Sequence, residues 1–122
     1  MIYDHSNGYE EALNRRKIYG WEIELLCANS QNGRSLEAIK RMMALYKQLQ
    51  TQYPEQVLIK ESENHFDDAP YFDTSLFCNK DDVIKFSQLV ISLGMVIDFI
   101  HNHDEQISFE FNDNTLNELF PE

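Results

Sequence analysis

Imidazole and carboxylate groups crowd two places in this chain of 122 residues. Glu61, Glu63, His65 and Asp67 alternate along one stretch, and His101 and His103 run into Asp104 and Glu105. In an extended strand, alternate residues share a face, so the first group could present oxygen and nitrogen ligands to a divalent ion. The same residues suit a polar hairpin in water, and the second group suits the end of a helix, where positive charge is favoured. No metal is therefore assigned. A metal-dependent enzyme is the second alternative, and it requires His65, His101 or His103 to converge with carboxylates in space.

Nucleophilic chemistry has less to work with. Neither Cys27 nor Cys78 has a base beside it in sequence, and the two form no Cys-x-x-Cys pair, so both read as reduced core thiols. The chain contains no glycine-rich phosphate loop, no His-Glu-x-x-His and no zinc-type cysteine spacing. Adjacent acids such as Asp67 with Asp68 are weak grounds for acid–base catalysis, and Asp81 with Asp82 suit a helix start. No catalytic residue and no cofactor is assigned, and the expectation is a protein that is not an enzyme.

Charge says more. Ten Lys and Arg against 21 Asp and Glu give a net charge of -11. Residues 1–60 hold eight basic and seven acidic side chains (8 - 7 = +1), whereas residues 61–122 hold two and fourteen (2 - 14 = -12). Such a balance repels phosphate backbones and anionic lipid, which disfavours direct nucleic-acid binding, and it can steer a basic partner into contact. The opening Met1-Ile2-Tyr3-Asp4-His5 has neither a basic start nor an apolar run, so the expected location is the cytoplasm. The stretch from Val83 to Ile100 carries Lys85 and Asp98, too polar for a membrane span.

The elements that must position these groups follow from periodicity. Asn7–Lys17 suggests a short helix in an N-terminal extension, residues 1–17, of one α+β domain over 1–122. Trp21, Ile23, Leu25 and Cys27 alternate with Glu22 and Glu24 as a half-buried strand from Ile18. Asn29–Arg34 is turn chemistry, and Ser35 caps a helix reaching about Tyr53, with Leu36, Ile39, Met42, Met43, Tyr46 and Leu49 on one stripe. Pro54 ends it, and Val57-Leu58-Ile59 begin a second strand that fades after Glu61.

Phe72, Thr74, Leu76 and Cys78 alternate with Tyr71, Asp73, Ser75 and Phe77 as a third strand. A second long helix is expected from Val83 to Ile100, with Gly94 in its middle permitting close packing. Ile107, Phe109 and Phe111 read as a fourth strand, and Thr115 with Glu118 fits a capping box for a final turn.

This order, strand-helix-strand twice, is the ferredoxin-like βαββαβ plan: a two-layer sandwich of a four-stranded antiparallel sheet with both helices on one face. Leu25-Leu26-Cys27 and Leu76-Phe77-Cys78, 51 residues apart, echo one another before each helix. The sheet face away from the helices then carries Glu22, Glu24, Leu26, Tyr71, Asp73, Phe77 and Glu110. A platform mixing carboxylates with rings suits docking of a basic protein, and these seven residues are the expected partner-binding set. The leading expectation is an acidic inhibitor, such as an immunity protein, an antitoxin or a phage-type antagonist, occluding the basic surface of a nuclease-like partner. The alternative is a ligand-sensing regulatory domain that forms a homodimer through its sheet.

Overall fold

The computed structural model describes residues 5–25, 36–66 and 69–121, and side chains for 10–25, 37–59 and 74–121. Helix α1 (His5–Tyr19) leads into strand β1 (Trp21–Leu25); α2 (Leu36–Gln52) follows, then β2 (Val57–Phe66) and β3 (Ala69–Cys78). A 3-10 turn over Lys80–Asp82 enters α3 (Val83–Ser92), and β4 (Ile97–Asn102), β5 (Ile107–Glu110) and the short α4 (Thr115–Leu119) complete the order. The architecture is α+β, with a five-stranded sheet in the order β2-β3-β1-β4-β5 and every described pairing antiparallel.

The alternation in β1 and β3 sorts their side chains as expected. Trp21, Ile23 and Leu25 join Leu76, Cys78 and Val57 in one cluster with Ile39, Tyr46 and Leu49 of α2 and Val83, Phe86 and Val90 of α3. Ile23 lies opposite Leu76 and Trp21 opposite Cys78, so the pairing register itself stacks these apolar groups on one face. Thr74 is also fully buried on that side, and its hydroxyl has no hydrogen-bond partner.

The expected second long helix is corrected. It stops at Ser92, and residues 97–102 are a fifth strand, which raises the count above four. Gly94 ends the helix: its φ of 84° is in the left-handed region, its N–H donates to the Ile91 carbonyl, and the Met95 N–H donates to that of Val90. Those two bonds are a Schellman cap, which satisfies carbonyls left over at a helix end. Beyond it, Ile97, Phe99 and Ile100 are β-branched and aromatic, and pairing with β1 recruits them into the sheet.

Two smaller expectations also change. Ile18 belongs to α1 and is 74% exposed, so β1 starts only after Gly20, whose φ of 95° and N–H bond to the Arg16 carbonyl close the helix. The capping box at Thr115 does not form. Asn114 is the N-cap without a side-chain bond, and the Thr115 hydroxyl instead donates to the Glu110 carbonyl and accepts from the Asn112 N–H.

Helix α1 crosses the sheet on the side away from the main cluster. The Arg15 guanidinium donates to the Val57 carbonyl, Arg16 reaches Glu22, and Ala12 and Phe77 are buried outside that cluster. Among the described residues no helix is long and apolar enough to cross a membrane.

Candidate functional site

The described residues of the expected platform share one face of the sheet, and α1 divides that face. Glu22 lies opposite Phe77 on β3 and His101 on β4; Glu24 lies opposite Ser75 and Phe99; and Phe99 pairs with Glu110 on β5. Glu22, Glu24, Phe77 and Glu110 therefore share one side of the sheet. Tyr71 and Asp73 fall on the same side by the register of β3, but their side chains, like all of Leu26, lie outside what is described.

Exposure separates these residues. Glu22 is 1% exposed and Phe77 is 0% exposed, so α1 removes both from any partner's reach. Only Glu24 and Glu110 of the described set meet solvent. The expectation of an uncovered platform is thus corrected for the half under α1. The reason is that a buried carboxylate must be compensated, and α1 supplies the compensation. Arg16 donates from Nε (2.8 Å) and from a terminal nitrogen to Oε1 of Glu22, while the Ser75 hydroxyl donates to Oε2 at 2.5 Å.

Beside this sealed pair lies an open polar chain. His101 Nε2 is 2.6 Å from Glu24 Oε2, and its Nδ1 is 2.6 Å from the Ser108 hydroxyl. Phe99 stacks on the imidazole with ring centres 5.9 Å apart. One ligand atom each from Glu22, Glu24 and His101 falls within 4.8 Å of the others. His101 thus converges with carboxylates, as a metal reading demands. His103 is not in this cluster, and the side chains of Glu61, Glu63 and His65, together with all of Asp67, lie outside the described residues. Ser108, His101 and Glu24 also have the residue types of an acyl-transfer triad. The ring nitrogens are in the opposite order, since the hydroxyl meets Nδ1 and the carboxylate meets Nε2.

A second site escaped the sequence because five separate segments build it. A cavity of about 670 Å³ opens where the α1–β1 turn, the 3-10 turn after β3, the β4–β5 hairpin, β5 and α4 meet. Asp81, Asp104, Glu105 and Glu118 line it against the one lysine Lys80, and Tyr19, Trp21 and Phe109 supply its aromatic wall. All four carboxylate residues are exposed.

Local chemistry fixes the rim. The Asn102 side-chain oxygen accepts from the backbone N–H of Asp104 (3.0 Å) and of Glu105 (3.3 Å), so the hairpin holds both acids in place. The His103 N–H donates to the Gly20 carbonyl at 2.9 Å, tying hairpin to helix turn. Trp21 packs on Phe120 with ring centres 5.5 Å apart. The sequence carries the signal in part: Asp104 and Glu105 follow two histidines and Asp81 suits a helix start, but no spacing joins them to Glu118 or Trp21.

Cys78 is a free thiol buried in the core cluster. Burial, with a smaller contribution from Asp82, pushes it up to about 12, which favours the protonated thiol at neutral pH. Cys27 lies outside the described residues. No family model, no curated protein and no solved structure matches this chain.

Proposed function

We propose that this chain is a binding protein whose acidic cleft receives a basic surface of another protein, and that it acts as an inhibitor by occluding that surface. The observation that carries the reading is the cleft itself: four carboxylates and three aromatic rings around about 670 Å³, with a single lysine among them. Exposed carboxylates select Arg and Lys and steer their approach, while rings supply apolar area and a π-face for a guanidinium. The acidic half of the chain, residues 61–122, contributes all four of those acids.

A partner that uses Arg and Lys to hold phosphate is the kind such a cleft would neutralise. An immunity protein, an antitoxin or a phage-type antagonist of a nuclease-like enzyme is that class of inhibitor. The scaffold reading is consistent with it. From β1 to β4 the elements run strand-helix-strand-strand-helix-strand, and the order β2-β3-β1-β4 supports a ferredoxin-like core to which α1, β5 and α4 are added. Those additions contribute Tyr19, Phe109 and Glu118 to the cleft.

Trp21 is the one tryptophan in the chain and forms part of the cleft wall, so its fluorescence reports occupancy. Titration with a nona-arginine peptide at low ionic strength is expected to change Trp21 emission saturably and to lose affinity steadily as NaCl is raised. A titration that leaves Trp21 unchanged, or one indifferent to salt, contradicts the proposal.

A further inference from the structure

We propose that Glu22, Glu24 and His101 form a binding site for a divalent transition-metal ion of the zinc class, separate from the acidic cleft and independent of the inhibitor reading. Three observations converge on it. The donor set is mixed, two carboxylates and one imidazole, with one ligand atom from each residue within 4.8 Å of the others. Ligands about 2.0–2.1 Å from a tetrahedral ion sit roughly 3.3 Å apart, so the Nε2–Oε2 pair must open from 2.6 Å to admit the ion, a change within reach of small side-chain rotations. An imidazole nitrogen beside carboxylate oxygens favours zinc and its neighbours over magnesium or calcium, which prefer all-oxygen shells.

Orientation is the second observation. The Ser108 hydroxyl holds His101 Nδ1 at 2.6 Å and Phe99 stacks on the ring, so Nε2 is the nitrogen aimed at Glu24. Zinc-binding histidines are commonly fixed in this way through their other nitrogen. Binding moves no electrons. The ligating form is the neutral imidazole with its proton on Nδ1, donated to the Ser108 oxygen, and any proton held between Nε2 and Glu24 before binding leaves to solvent. On Glu22, the Ser75 bond uses one of the two lone pairs of Oε2 and leaves the other for the ion.

The third observation is access and charge. Glu22 is buried and anchored, whereas Glu24 and His101 are 30% and 13% exposed, so an ion enters from the open side and keeps one position for water. Arg16 already neutralises Glu22, which limits affinity by placing a cation beside the ion. Removing that cation is therefore expected to strengthen zinc binding, an outcome opposite in sign to generic damage.

The test is calorimetric titration of ZnCl2 into the tag-free, chelator-treated full chain. One equivalent is expected to bind. Glu24→Gln and His101→Gln each lose on the order of 100-fold in affinity, Ser108→Ala about 10-fold, and His103→Gln nothing. Arg16→Gln binds more tightly than the parent; should it fail to fold, Glu24→Gln and His101→Gln decide alone, because both leave the Arg16–Glu22 pair in place. Cobalt(II) is expected to give visible absorption bands that His101→Gln abolishes. Zinc binding that survives His101→Gln, falls equally with His103→Gln, or is absent at millimolar zinc overturns the proposal.

Discussion

Two halves of one sheet face carry the same chemistry in different surroundings. Glu22 and Glu24 are two residues apart on β1, point the same way and each meet a basic side chain, Arg16 for one and His101 for the other. Glu22 is sealed under α1 with a permanent cation, a hydroxyl and the ring of Phe77 on the facing strand. Glu24 keeps 30% of its side chain in water and pairs with a group whose charge depends on protonation. The difference teaches that position in the strand pattern sets direction, whereas the neighbouring helix sets whether a carboxylate is sealed from water or keeps contact with it.

That contrast can be broken most severely at Phe77. Phe77→Ala empties a fully buried site beneath α1 and is expected to cost about 3–5 kcal/mol, read as a lower urea midpoint. Arg16→Ala should cost about 3 kcal/mol, because it strands the buried Glu22 charge; Arg16 is 26% exposed, which keeps the loss at the low end for a buried pair. On the open half, Glu24→Gln is expected to cost less than about 1 kcal/mol. Equal losses for Arg16→Ala and Glu24→Gln would erase the distinction between the halves.

Cys78 sharpens the comparison from the core side. Its folded pKa is raised from 9.0 to about 12, so the protonated thiol is favoured by folding. The resulting stability is fully present below pH 9 and is lost as pH rises towards 12. The urea midpoint should therefore fall more steeply over that range in the parent than in Cys78→Ala. Parallel pH profiles would show that the thiol contributes nothing. At the smallest end, Glu110→Gln on the exposed edge strand should shift stability by no more than about 0.5 kcal/mol.

Much of this arrangement was legible in the residues. The stripe of α2 and the alternation in β1 and β3 identified the core side and, with it, the shared face of Glu22, Glu24, Phe77 and Glu110. Two things were not. Helix α1 offers only Tyr9, Ala12 and Leu13 on one side, a stripe too short to say which surface it covers; it docks through Ala12 and two arginines whose targets are far or buried. The break at Gly94 is the other. Apolar residues spaced for a helix run through Leu89, Val90 and Leu93 to Val96, Ile97 and Ile100, and periodicity alone does not distinguish a buried strand following a cap from more helix. The acidic cleft was hidden for a third reason, since it is assembled by chain folding from segments up to about a hundred residues apart, Tyr19 and Glu118 among them.

The claim that the cleft, and not acidity in general, receives a basic partner is tested by two charge-matched variants. One neutralises the cleft (Asp81→Asn, Asp104→Asn, Glu105→Gln, Glu118→Gln); the other neutralises four exposed acids outside it (Glu10→Gln, Glu37→Gln, Glu55→Gln, Asp113→Asn). Four exposed ion pairs at about 0.5 kcal/mol each sum to ~2 kcal/mol, so nona-arginine affinity measured by calorimetry should fall roughly 30-fold in the first variant and by far less in the second. Equal losses in the two would contradict the account, because net charge alone would then explain the binding.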